Sequence, residues 1–107
     1  MELDLEISAA EVAALMKEGS VTLIDVRTQQ EYQIARIEGC RLVDESLAKE
    51  IVETWPKDTP IVTICHHGVR SLDAALFLRR HGFAQTRSMR GGIDLWSTSI
   101  DASIPRY

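Results

Sequence analysis

The 107-residue sequence predicts an α/β fold: a three-layer α/β/α domain with a mainly parallel sheet of about five short strands. Short apolar strand segments alternate with short helical ones along the whole chain. The strand segments are apolar on both faces, as strands sandwiched between helices must be. No linker, internal repeat or low-complexity tract interrupts the series, and a chain this long builds one core rather than two, so residues 1–107 read as a single domain.

The first helix is announced by Ser8 and Glu11, whose spacing is that of a capping box, with Ile7 and Val12 placed to close a hydrophobic staple. Val12, Leu15 and Met16 form its apolar stripe, and Gly19 ends it. A buried strand follows over Val21 to Val26. Thr28 and Glu31 repeat the capping box and open a short helix to about Ala35, after which the chain re-enters the sheet near Cys40 to Val43. Leu47, Ile51 and Val52 share one side of a third helix, from Ser46 to Thr54, which Trp55-Pro56 terminates. Pro60 to Ile64 is the next strand. The stretch from Leu72 to His81 is helical again, with Gly82 as its stop and His81 placed to complement the helix dipole. A weaker strand over Thr86 to Met89 leads through Gly91-Gly92 into a last short helix around Ile93 to Ser97. Trp55 and Trp96 read as packing residues rather than stacking platforms.

Composition excludes several function classes. Hydrophobic residues make up 45% and charged residues 26% of the chain, the balance of an ordinary globular protein rather than a disordered one. The longest apolar runs fall far short of the roughly 20 residues that cross a bilayer. The opening stretch MELDLEIS is acidic and predicts no export signal. Net charge is -4 and the basic residues are scattered, with Arg79-Arg80 the only adjacent pair, so neither a nucleic acid nor a membrane is an expected partner. Cys40 and Cys65 stand in unlike contexts and suit lone thiols in a reducing cytoplasm, the expected location.

The chemistry-bearing segment is ICHHGVRS, Ile64 to Ser71. Cys65 stands where strand turns into helix, at the carboxyl end of the sheet where ligands bind in folds of this class. Backbone amides converging there, with the helix N-terminus, favour thiolate over thiol, and the thiolate is the form that attacks. Gly68 permits an unusual backbone angle in the tight loop. Arg70 brings a permanent charge with paired donors suited to an anion, and Ser71 reads as the helix N-cap and a further hydroxyl donor. His66 and His67 either donate hydrogen bonds and raise the local charge or decorate an exposed loop. An isolated cysteine at a strand end is commonly a small buried hydrophobe, but the combination of strand, Cys, glycine-containing loop, Arg and helix favours a reactive thiol. Adjacent Cys65, His66 and His67 lack the spacing of a closed zinc site unless Cys40 or His81 approaches on folding, so no metal is expected. A cysteine-protease arrangement lacks a distant base with its own orienting group.

Four segments carry a resemblance that extends over nearly the whole chain: LIDVRTQQEY (Leu23 to Tyr32), IEGC (Ile37 to Cys40), CHHGVRS (Cys65 to Ser71) and MRGGIDLW (Met89 to Trp96). In order and spacing they resemble the rhodanese family of sulfurtransferases. The resemblance implies that Cys65 is the sulfur-carrying nucleophile, that His66, His67, Gly68, Val69, Arg70 and Ser71 form the substrate cradle, and that Asp25, Arg27 and Glu31 support the fold beside it. The Cys-x4-Arg loop is similar to that of rhodaneses. The related cell-cycle phosphatases have one residue more, which enlarges the cradle for phosphate. The implied reaction moves a sulfane sulfur from a small donor such as thiosulfate to cyanide, a thiol or a protein acceptor through a Cys65 persulfide, without cofactor. The alternative is a rhodanese-like interaction or sulfur-relay module with little turnover of its own.

Two departures qualify this. Ala35-Arg36-Ile37-Glu38-Gly39-Cys40 stands where family members commonly read Gly-His-Ile-Pro-Gly-Ala, so roles attached to that histidine do not carry over. His66 stands where many thiosulfate-using members have Arg, and a neutral imidazole attracts a dianion less, which makes thiosulfate a surrogate donor. Cys40 is most simply a packing residue, with a resolving thiol as the sharper reading.

Overall fold

The computed structural model describes residues 4–107, so residues 1–3 of the acidic opening stretch lie outside the described residues. Its elements are β1 (Glu6–Ile7), α1 (Ala9–Glu18), β2 (Thr22–Asp25), α2 (Gln29–Ile34), β3 (Arg41–Leu42), α3 (Glu45–Thr54), β4 (Ile61–Ile64), α4 (Val69–Arg80), β5 (Thr86–Met89) and α5 (Gly92–Ser99). The five strands form one sheet in the order β1-β5-β4-β2-β3. Every pairing is parallel.

Local chemistry sets the helix boundaries. The Ser8 hydroxyl accepts from the Glu11 amide at 3.1 Å, and α1 ends at Gly19 in the left-handed region at φ 67°. At α2 the full box forms, with Thr28 capping Glu31 and the Glu31 carboxylate reaching back to the Thr28 amide. Two starts differ from the sequence reading. α3 starts one residue earlier, at Glu45, because the Asp44 carboxylate caps it by accepting from the Leu47 amide at 2.7 Å. α4 begins at Val69 behind a Gly68 cap at φ 99°, so Ser71 is not the N-cap but lies within the first turn, fully buried. The strand β1 is also additional; its two residues give too short an alternation to register as a strand, and its pairing with Ser88 and Met89 makes it one.

Alternation along the central strands divides the core. Leu23, Val62 and Ile64 face one layer with Val12 of α1 and Ile93 and Trp96 of α5. Ile24 and Ile61 face the other with Leu47 and Ile51 of α3, Leu78 of α4 and Phe83. All four residues of β4 are buried, as befits the middle strand of a sheet covered on both sides. Trp55 caps the end of α3 and bonds Glu50 through its indole N–H. His81 caps α4, its Nδ1 2.9 Å from the Phe77 carbonyl.

Because every strand runs the same way, the carboxyl ends of β2, β4 and β5 emerge on one edge. There Asp25 and Arg27 form a buried ion pair, with side chains 1% and 0% exposed and Nη2 to Oδ2 at 2.7 Å. The Arg27 Nε donates to both Asp25 oxygens, and its other nitrogens reach the Ala35 and Glu31 carbonyls and the Tyr107 hydroxyl. Burial works against the Arg27 charge, but the bonds to Asp25 and Tyr107 outweigh it and hold the guanidinium protonated well above its ordinary range. Asp25→Ala therefore leaves a buried cation uncompensated and should lower stability by about 3 kcal/mol or more in urea unfolding, with part of the loss recovered in the Asp25→Ala, Arg27→Met double variant.

Candidate active site

Cys65 follows directly on β4, and its carbonyl and that of His66 are turned away from the loop interior. They accept from the first free amides of α5, Ile93 N–H at 2.9 Å and Asp94 N–H at 3.1 Å. The N–H of a trans peptide points opposite its C=O, so these two bonds fix the His66 and His67 amides and anchor the start of the loop against α5. The close approach needs Gly92, where a Cβ would collide with the Cys65 and His66 carbonyl oxygens. Gly68 is also close-packed, with a Cβ there meeting the Gly91 nitrogen at 3.2 Å.

The inward face of the loop is aimed at sulfur. The Gly68 amide donates to Cys65 Sγ at 3.0 Å, and Ser71 Oγ lies 3.3 Å from Sγ. Ser71 Oγ is in turn 2.7 Å from Ser88 Oγ on β5, which fixes its rotamer. Burial opposes ionisation of Cys65, which is 1% exposed. The Ser71 hydroxyl and the amides of Ser71, Gly68 and Arg70 outweigh it and bring the thiol below its ordinary range. Cys40 has no such donors; burial, and secondarily the charge of Asp25, pushes its thiol far up. Both cysteines are free.

The remaining loop side chains point elsewhere. Val69 is 72% exposed. Arg70 does not turn its fork into the loop: Nη1 and Nη2 grip Glu31 at 2.7 and 3.0 Å, while its main-chain amide and, at longer range, its charge favour the Cys65 thiolate. Glu31 is available because the α2 capping box holds its carboxylate at the loop side. The Arg70 hydrogen bonds, against the opposing effect of burial, hold its carboxyl well below the usual range. The His66 ring stacks between His67, at 4.0 Å, and Tyr107, at 4.2 Å. Burial, then repulsion from His67, lowers its affinity for a proton, so the imidazole is neutral near pH 7. His67, His66 and Asp94 bring one ligand atom each within 4.8 Å of one another, whereas neither Cys40 nor His81 joins them. Asp94 is engaged by the Arg106 fork at 2.9 and 3.2 Å.

Sequence reading did not single out Ser88, Gly92 or Tyr107 individually. Ser88 and Gly92 sit in or beside the Met89 to Trp96 segment, but their role depends on β5 and α5 lying against the loop. Tyr107 bears on the site only through the path of the tail.

A family model described as rhodanese-like domain matches residues 8–99. The thiosulfate sulfurtransferase GlpE of Pseudomonas paraeruginosa is 32% identical over 94 residues, covering 88% of this chain and 86% of that protein. GlpE of Pseudoalteromonas translucida is 29% identical over 100 residues, covering 94% and 95%. Among solved structures, human single domain sulfurtransferase TSTD1 superimposes with a TM-score of 0.80 at 22% identity, covering 91% of this chain and 98% of that one, a likeness of fold.

Two outcomes follow from these electrostatics. The rate of Cys65 alkylation by iodoacetamide against pH should show a midpoint below the ordinary thiol value of about 8.5, and Ser71→Ala should move it upward. Glu31 has a lowered folded pKa, so its stabilisation is complete above its unfolded value near about 4.3 and declines as pH falls below that; Glu31→Gln should flatten the acid limb of stability measured by circular dichroism.

Proposed function

The chain belongs to the rhodanese-like domain family, and from that premise and the donors gathered on Cys65 we propose that it is a sulfurtransferase working through a Cys65 persulfide. The observation that carries the proposal is the Gly68 amide and the Ser71 hydroxyl held at 3.0 and 3.3 Å from one buried sulfur, with the neighbouring Ser71 and Arg70 amides adding to the same field. Such a field stabilises the attacking thiolate and, after transfer, the terminal sulfur anion of the persulfide.

In the first half-reaction the Cys65 thiolate attacks the outer sulfur of thiosulfate. A new sulfur–sulfur bond forms at Cys65, the donor's sulfur–sulfur bond breaks, and sulfite leaves with the electron pair. In the second, cyanide or an acceptor thiolate attacks the outer sulfur, the persulfide bond breaks, and the Cys65 thiolate returns. Electrons balance within each displacement, so neither metal nor organic cofactor enters. His66, His67, Gly68, Val69, Arg70 and Ser71 form the cradle chiefly through their backbone, with Asp25, Arg27 and Glu31 holding it from the side. A reducing cytoplasm suits a resting thiolate.

Donor charge sets the preference. The Arg70 fork is engaged by Glu31, Arg27 by Asp25, and His66 is neutral, so attraction for a dianion rests on loop amides. This supports thiosulfate as a surrogate for the working donor. The reading of the fold as a relay module draws on Val69, whose exposed apolar side chain beside the loop offers a foothold for a protein acceptor.

Intact-protein mass spectrometry tests the proposal. After thiosulfate treatment the protein should gain the mass of one sulfur, lose it on addition of cyanide or reductant, and show no gain in Cys65→Ser. Absence of any Cys65-dependent gain across several sulfur donors would sink the mechanism.

A further inference from the structure

The segment after α5 lies outside residues 8–99 that match the family model, yet it is fastened to the site at several points. Ile104 is buried against the α1 and α5 layer, and its carbonyl accepts from the Ser97 hydroxyl. Arg106 forks onto Asp94, whose own amide holds the His66 carbonyl. These anchors deliver Tyr107 to the loop. Its ring lies 4.2 Å from the His66 ring at an interplanar angle of 15°. Its hydroxyl donates to Glu31 Oε2 at 2.8 Å and accepts from Arg27 Nη1 at 2.8 Å.

His66 and Arg70 bound the loop that surrounds Cys65. Tyr107 touches the first directly and reaches the second through Glu31, whose carboxylate also takes the Arg70 fork and the Thr28 cap. The result is an arc of linked side chains, His66, Tyr107, Glu31 and Arg70, beside Cys65, which is itself 1% exposed. Displacing Tyr107 would break an aromatic stack and two hydrogen bonds to charged groups at once, so it acts as a fixed wall rather than a loose tail.

We infer that Tyr107 is a specificity-determining residue: stacked on His66 and bonded to Glu31, it narrows the approach to Cys65, admitting slender sulfur donors and holding back bulky ones. The inference rests on Cys65 as the reacting atom and concerns which molecules reach it. The chemistry that fits is an unbranched sulfane donor whose outer sulfur projects beyond a small leaving group. Aryl or otherwise broad donors meet the Tyr107 ring first.

The test compares alkylation of Cys65 by iodoacetamide and by pyrenyl maleimide, resolved from Cys40 by peptide mass spectrometry, in the wild-type protein, Tyr107→Ala and Tyr107→Phe. The ratio of bulky to small reagent rates should rise about tenfold in Tyr107→Ala. Tyr107→Phe keeps the stack and loses both hydrogen bonds, so its ratio should rise less. A ratio within about twofold of wild type in Tyr107→Ala, or an equal acceleration of both reagents as a generally loosened fold would give, overturns the assignment. In parallel, kcat/KM for an aryl thiosulfonate relative to thiosulfate should rise in Tyr107→Ala. Alkylation needs only the thiolate and no sulfur transfer, so failure of the size filter and failure of the sulfurtransferase reading are separately visible.

Discussion

The site depends on two hydrogen bonds that never touch the sulfur. By donating to the Cys65 and His66 carbonyls, the Ile93 and Asp94 amides pin the start of the loop against α5, and from that anchored start the chain turns back to bring the Gly68 amide onto Sγ. Gly92 makes the contact sterically feasible, and the parallel sheet makes it geometrically inevitable, since β4 and β5 discharge their chains onto the same edge. The preorganised field at Cys65 is thus a property of how two strand ends meet. Desolvation of the thiol, which alone would suppress ionisation, is overcome because the donors are fixed before any substrate arrives.

Charge around this centre is arranged economically. Asp25 balances Arg27, Glu31 balances Arg70, and Asp94 balances Arg106, so the side chains nearest the loop occur as opposed pairs. The partial charges of the Ser71 hydroxyl and of the loop amides are then the main potential favouring the thiolate. Such a potential falls off steeply with distance. It favours an anion that is already seated on Cys65 more than one approaching through solvent, which suits a carrier of bound sulfur better than a collector of dilute dianions.

Much of the fold was legible in the sequence because its signals are local. The Ser8 and Thr28 capping patterns, the Gly19 stop and the run of apolar residues before Cys65 each act within a few residues, and the corresponding elements formed where those signals stood. The position of Cys65 between strand and helix could be read in the same way. What escaped was settled at long range. Whether Ser71 caps a helix or faces a sulfur depends on where α4 starts, and Gly68 with its left-handed backbone moved that start earlier. Whether Arg70 faces the loop or turns from it depends on Glu31, 39 residues away in sequence. Tyr107 gave no signal, because nothing in a chain of letters reveals that a tail will return across an edge formed by β2 and β4.

The two cysteines show what burial without donors does to a thiol. Cys40 packs in the apolar core near Asp25 and is held toward the thiol form, while Cys65, equally hidden from solvent, meets hydrogen-bond donors that shift it toward the thiolate. Disulfide exchange requires a thiolate as attacker, and Cys40 does not supply one. Its presence therefore gives the chain no internal route for discharging Cys65. On the proposed mechanism, a sulfur loaded there would wait for another molecule to collect it, so the lifetime of the loaded form would follow the supply of acceptors outside the protein.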